Sequence, residues 1–255
     1  MRTSPSGSML RGWRTSRGYS QLDLAIRSDV SAKHLSYVET GRSKPSPEMI
    51  LHLCEHLDVP MRQRNEILLA AGYAPRYDHT PYDPASPNDL SIAIDLIINA
   101  HTFPAIVVDT AWNLITANLA AAIFMDNVDI ALMKPPINVI RLSLHPDGLA
   151  PRVRNFDQYA HHVVNRLQRT LAKAPSAQLE SLLEEFGHLG TARSDHRPGI
   201  LLPLELDTHV GLIRMFSTIT AFGTPRDISL EELAIETFYP ADPESHRRLT
   251  QLDKP

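Results

Sequence analysis

Cysteine is nearly absent from this chain: Cys54 stands alone among 255 residues. A single thiol rules out an internal disulfide and fits a reducing compartment, so a cytoplasmic protein is expected. Long apolar runs are missing too. No stretch approaches the roughly 20 residues that a membrane-spanning helix needs, and the opening MRTSPSGSMLRGWR lacks the apolar segment of a secretory signal. Catalytic signatures are equally scarce, with no GxSxG elbow, P-loop, glycine-rich dinucleotide turn or CxxC. The expectation is a soluble protein that is not an enzyme, has no membrane partner and carries no resident cofactor.

Twelve histidines are present, but their spacing is poor for metal. His161 and His162 are adjacent on an expected helix, about 100° apart, and cannot chelate one ion together. His52 and His56 share a helix face, yet the glutamate of HExxH is absent, so both are expected to be solvated. A haem- or redox-type sensor or enzyme, using His101 or His145, stays open as an alternative.

What the chain does have is size and segregated charge. At 28.5 kDa, 43% apolar and with a mean hydropathy of -0.19, it has room for two cores. The total charge is -4, yet residues 1–44 hold eight Lys/Arg against three Asp/Glu, a balance of +5 that leaves -9 for the rest. Such asymmetry suits an N-terminal surface that meets an anion such as DNA.

The stretch 20–45, SQLDLAIRSDVSAKHLSYVETGRSKP, pairs two short apolar-periodic segments around a polar break. Ser20 caps the first, with Leu22, Leu24, Ala25 and Ile26 as its apolar side, and Ser28-Asp29 ends it. Ser31 caps the second, which runs to Glu39 with Leu35 and Val38 inward and Ala32, Lys33, His34 and Tyr37 outward. A helix in the major groove offers its N-terminal side chains to base edges while nearby loops hold phosphates. Candidate DNA contacts are therefore Gln21, Ser31, Ala32, Lys33, His34 and Tyr37, with Arg42, Ser43 and Lys44 in the loop after a left-handed cap at Gly41.

Around this unit, a first helix is expected over Ser8–Arg17, with Leu10 and Trp13 inward and Arg11, Arg14 and Arg17 outward. A fourth opens at Pro47 and buries Ile50, Leu53, Cys54 and Leu57, and a fifth spans Met61–Ala71. SQLDLA followed by SAKHLSYVETGRSKPS resembles the five-helix DNA-binding domain of the lambda-repressor/Xre class, with Gln21, Leu24, Ala25, Leu35, Glu39, Gly41 and Pro45 in the matching places. The resemblance implies an all-α DNA-binding domain over 1–74 that recognises a double-stranded operator.

Prolines 75, 81, 84 and 87 rule out a continuous helix or central strand, so 75–89 is a linker. Beyond it, over 90–255, the pattern is α+β with a mostly antiparallel sheet. A helix over Leu90–Ala100 leads into PAIVVD and WNLIT as a hairpin turning at Asp109–Ala111. A helical run over Ala117–Phe124 follows, entered through Asn118, and helices over 156–171 and 179–186 come next. Leu202, Leu204 and Leu206 alternate in one strand, His209–Phe222 supplies a second and Leu233–Tyr239 a last one before PADPESHRRL.

The stretches FPAIVVDTAWNLITANLAAAIF, INVIRLSLHPDGL, HVGLIRMFSTITAFGTP and FYPADPES resemble the MmyB-like ligand-binding domain found behind Xre-type domains in bacterial regulators. Residues 173–199 follow that pattern only loosely. The resemblance implies a PAS-like fold and a fatty-acid-like effector, and a homodimer is expected. The residues permit an apolar pocket of Val107, Trp112, Ile115, Phe124, Leu142, Ile213, Met215 and Phe216, with Arg141, His145 or Arg214 on the sheet side for a carboxylate head. A constitutive repressor whose second half only dimerises is the other open reading.

Overall fold

Serine opens each of the first four helices, because its hydroxyl accepts from an amide that the first turn leaves unpaired. Ser4 accepts from Gly7 N at 3.0 Å ahead of α1 (Pro5–Ser16), and Ser20 forms a reciprocal capping box with Asp23 at α2 (Gln21–Ser28). Ser31 caps α3 (Ala32–Thr40) and Ser46 caps α4 (Pro47–His56), whose Pro47 fills the first helical position. The fifth helix, α5 (Met61–Ala70), starts at Pro60 without a side-chain cap. The computed structural model describes residues 4–173, 176–191, 202–223 and 225–252.

The chain divides into two compact units, residues 1–81 with 223–231 and residues 82–222 with 232–255. In the first, Leu35, Val38, Ile50, Leu53, Cys54, Leu57 and Ile67 have no solvent exposure. Each such aliphatic side chain contributes about 1.5–3 kcal/mol by leaving water. The expected inward set needs correction at α2: Leu24 and Ala25 are buried, whereas Leu22 and Ile26 are 61% and 72% exposed. Eight residues give α2 one buried stripe, and Leu22 and Ile26 lie off it. Arg14 also departs from expectation, being buried rather than outward.

The second unit is built on a five-stranded antiparallel sheet, ordered β2-β1-β5-β4-β3. Its strands are β1 (Ala105–Val108), β2 (Leu114–Ala117), β3 (Leu204–Thr208), β4 (Gly211–Ala221) and β5 (Ala234–Pro240). On one face lies α6 (Asp89–Asn99), packing Ile94 and Ile98 on Ala105, Val107 and Ile235. The larger core covers the other face, where Ile106, Val108, Ile213, Met215 and Phe238 meet α7 (Val139–Leu144), α8 (Phe156–Lys173) and α9 (Ala177–Phe186). α11 (Pro243–Leu252) is the last helix of the described chain, and the short α10 (Ile228–Glu232) ahead of β5 falls mostly in the first unit.

The helix expected over 117–124 is a 3-10 helix, Leu119–Phe124, entered through Asn118 as expected. Asn118 ties this unit together: its amide nitrogen donates to the carbonyls of Ile98, His101 and Phe103, and its oxygen accepts from Ala105 N and Ala121 N. Leu202 lies outside β3 and is 38% exposed. The stretch after the last strand, to which the sequence reading assigns no element, holds the helix α11. Residues 192–199 of the loosely matching stretch lie outside the described residues. Among the described residues no helix is long and apolar enough to cross a membrane.

Candidate functional site

Two structural decisions place α3. Asp29 takes the left-handed conformation at φ 51°, closing α2, and Gly41 does the same at φ 74°, closing α3. Gly41 has a second reason to be glycine, since a Cβ there would lie 2.7 Å from Ser4 N. Leu35 and Val38 anchor the inner face of α3, leaving Lys33 exposed and Ala32, His34 and Tyr37 half-buried on the outer side. Lys33 Nζ and the Arg42 guanidinium each lie 5.8 Å from the centre of the Tyr37 ring. The amides of Arg42 and Ser43 donate to Tyr37 O at 2.8 and 3.1 Å, which fixes the loop against the helix end. Lys44 sits 4.6 Å from the Tyr73 ring, whose hydroxyl donates to Pro45 O. This is a compact cationic surface with hydrogen-bonding side chains, as a duplex contact requires.

Beneath that surface lies a polar cluster that the sequence did not reveal. The carboxylate of Glu39, almost wholly buried, accepts from Arg14 Nε at 2.6 Å, from a second guanidinium nitrogen of Arg14 at 3.0 Å and from Gln21 Nε2 at 2.7 Å. Arg14 also donates to Tyr19 O at 2.6 Å. Three helices are thereby locked: α1 through Arg14, α2 through Gln21 and α3 through Glu39. Gln21 thereby reaches α3, with its amide nitrogen engaged internally. The Ser31 hydroxyl likewise accepts from His34 N at 3.2 Å as the helix cap.

The histidine pair of α4 is not simply solvated. His52 Nε2 lies 2.6 Å from Ser28 O, and the two imidazoles meet edge to face at 4.7 Å. Cys54, two residues from each histidine and on the opposite side of the helix, is fully buried, and burial pushes its thiol up to about 12.

In the second unit an apolar cavity of about 40 Å³ lies between the sheet and the α7–α8 side, lined by Ile106, Leu114, Phe124, Leu142, Leu149 and Phe238. Met125, Val139 and Leu204 complete its apolar wall, and Ser143 and Tyr159 are its two hydroxyls. Forty cubic ångströms hold a few water molecules at most, well below the roughly 300 Å³ of a typical small-molecule pocket. A ligand of any length therefore has to displace lining side chains.

Of the expected pocket residues, Phe124 and Leu142 line this cavity. Trp112, Ile213 and Met215 are buried in the same core but do not line the cavity. Val107 and Ile115 belong to the core on the opposite sheet face, because the side chains of β1 alternate and Ile106 and Val108 take the cavity side. Phe216 also leaves the pocket, stacking on Tyr239 at 5.7 Å. Trp112 is held at φ 65° by the Asp109 carboxylate, which accepts from Ala111 N and Asn113 N, each at 2.8 Å.

The expected head-group cations need correction. Arg141 and His145 lie on and just after α7, not on the sheet. Arg141 pairs with Glu185 at 2.6 Å, and that hydrogen bond raises its pKa further. His145 Nδ1 accepts from Asp147 N at 3.0 Å. Arg214 is on β4, but on the face away from the cavity, and contacts Glu205 at 3.2 Å. Arg166 of α8 is a cation on the cavity side, donating to both Glu236 oxygens at 2.9 and 3.2 Å and lying 4.0 Å from the centre of the Trp112 ring. The signal for it was a helix position facing a lone acidic residue inside the apolar strand ELAIETFYP.

Comparison with known proteins agrees with this two-part anatomy. A helix-turn-helix domain model matches residues 7–67, and the MmyB-like transcription regulator ligand binding domain matches residues 90–252. Over 66 residues, 26% of this chain, it is 35% identical to the transcriptional regulator ClgR of Mycobacterium tuberculosis, in strains CDC 1551 / Oshkosh and ATCC 25618 / H37Rv. That match spans 56% of the length of ClgR. With most of its length matched from residue 90 to 252 and a helix-turn-helix domain ahead of that match, the chain belongs to the MmyB-like family of transcription regulators.

Proposed function

We propose that this chain is a sequence-specific operator-binding regulator whose second unit senses a small apolar ligand and pairs two copies. The observation that carries the first part is the exposed cationic surface around Tyr37, mounted on a helix that the Arg14–Glu39–Gln21 cluster locks in place. In this reading Ala32, Lys33, His34 and Tyr37 face base edges. Gln21, Ser31, Arg42, Ser43 and Lys44 hold phosphates. Two copies are needed because a helix of this class reads one half-site, and half-sites lie about 34 Å apart. The five-stranded antiparallel sheet, ordered β2-β1-β5-β4-β3, supports a PAS-like sensor, and the wholly uncharged wall of the cavity supports an apolar, fatty-acid-like chain as its occupant. The ligand would act by population shift, favouring a state in which both reading helices can or cannot engage together. The small cavity favours one second reading, a constitutive repressor whose second unit only dimerises.

Operator binding by point variants tests the division of contacts. Lys33→Ala and His34→Ala are each expected to cost about 1–3 kcal/mol at one operator position and to relax preference there. Arg42→Ala is expected to weaken binding to all sequences and to lower the salt slope by about 1. Equal losses on specific and random duplexes for all three would refute base reading by α3.

A further inference from the structure

The α5 helix has no cap of its own, and a partner for its first amide comes from far along the chain. Pro60 offers no side-chain acceptor to the first turn, yet the Met61 amide, one of the donors a helix start leaves unpaired, donates to Glu231 Oε2 at 2.6 Å across 170 positions of sequence. A carboxylate also suits the positive end of the helix dipole. Glu231 belongs to α10, and residues 223–231 form part of the first compact unit, although β4 before them and β5 after them build the sheet of the second.

Further contacts seat the same segment. Asp227 pairs with Asp78 in a parallel bridge, and the buried Ile228 donates its amide to Asp78 O at 2.9 Å. The Asp227 carboxylate accepts from Ser229 N at 2.7 Å, opening α10, and from Thr80 N at 3.4 Å. Asn65 of α5 holds the stretch just before these residues, accepting from Arg76 N and Tyr77 N and donating to Tyr77 O. Residues 223–231 therefore hold α5 directly at its start and, by way of residues 76–80, at its middle. Ile67 and Leu68 of α5 share a core with Leu10 of α1 and with Leu35 and Val38 of α3, so a shift of α5 is felt by the helix assigned to the operator.

We propose that residues 223–231 are a clasp that passes ligand binding in the second unit to the DNA-binding unit, with Glu231 as the positioning residue that caps or releases α5. This rests on the reading of the second unit as a ligand sensor. The link to the sheet is covalent: β5 follows α10 after Leu233 alone, and its Phe238 lines the apolar cavity. A chain entering that cavity has to move lining side chains, and Phe238 is one of them. Coupling requires an element with two states that both sites bias, and the seated and the released clasp are those states.

The full chain with and without saturating octanoate tests this, the labelling rate of the buried Cys54 reporting on opening of the DNA-binding unit and isothermal titration reporting octanoate binding. The wild-type labelling rate is expected to change about fivefold or more with octanoate, in either direction. Without ligand, Glu231→Ala is expected to raise the rate roughly two- to thirtyfold, as the loss of a helix cap does, and Glu231→Gln, whose side-chain carbonyl still accepts from Met61 N, to keep it near wild type. A Gly/Ser spacer inserted after Phe222 and another after Glu232 leave the contacts named above in place and slacken only the link to the sheet. This variant is expected to bind octanoate as tightly as the wild type and to lose the octanoate effect on Cys54. A full octanoate response in the spacer variant would overturn the clasp and leave the sensing reading standing. Octanoate bound by the wild type with no change in labelling would also overturn the clasp, and absence of octanoate binding would overturn the ligand reading and the clasp with it. The spacer variant decides the matter even if Glu231→Ala fails to fold.

Discussion

Glu39 carries more of the DNA-binding unit than any surface residue, because one buried carboxylate accepts from α1 and α2 while belonging to α3. Glu39→Ala leaves the Arg14 guanidinium buried without its anion, and breaking such a pair costs about 3–5 kcal/mol. Cys54 provides the readout, since its thiol is fully buried and, with its pKa pushed up to about 12, scarcely ionised at pH 8. Thiol labelling of the native chain is expected to wait on opening of this unit, and Glu39→Ala to speed it more than a hundredfold. A variant labelled at the wild-type rate would show that the cluster adds little. At this scale the sequence was legible where a residue type has one use: Gly41 as a left-handed cap, Pro47 in a first turn, serines as caps. It misled where a charged residue is buried with a partner distant in sequence, as with Arg14 and Glu39, 25 positions apart.

At the scale of elements, α11 shows how a helix hides in a polar stretch. PESHRRLTQL has few apolar residues, yet Ser245 and Leu249 are buried and Arg248 donates to Leu212 O at 2.6 Å. Asp242 starts it, accepting from Ser245 N at 2.7 Å, and the Ser245 hydroxyl then accepts from Arg214 N at 2.9 Å, which joins the helix to β4. The Ser245 amide bond holds the Asp242 carboxyl below its ordinary 3.8, with help from Arg214. A depressed carboxylate stabilises the fold fully above its unfolded pKa, and the effect is lost as pH falls below about 4. Asp242→Ala is expected to cost about 0.5–2 kcal/mol at pH 7. The penalty should shrink toward zero at pH 2–3 in urea unfolding, and a pH-independent penalty would point to packing alone. Strand β1 explains the misassigned pocket: AIVV is apolar at all four positions and buried on both faces, so alternation could not tell Val107 from Ile106.

At the scale of the whole molecule, the two-part organisation was legible from charge segregation, the proline-rich stretch and two blocks of motif, because each reflects composition rather than long-range contact. The cavity was not, since its volume and polar end depend on which of many apolar residues converge from β1, α7, α8 and β5. The central claim is that ligand and operator are thermodynamically coupled, because a ligand shifts a conformational equilibrium only by its differential affinity for the two states. The most direct test is fluorescence anisotropy of a labelled operator titrated with the full chain, with and without saturating 1-octanol or octanoate, for wild type and for Leu142→Trp with its cavity filled. The predicted result is a shift in operator Kd of about fivefold or more for the wild type with the ligand that binds, in either direction. No shift is predicted for Leu142→Trp, with thermal unfolding as the check that it remains folded. An operator Kd unchanged at saturating ligand in the wild type would contradict the sensing claim and leave a DNA-binding chain whose second unit only dimerises.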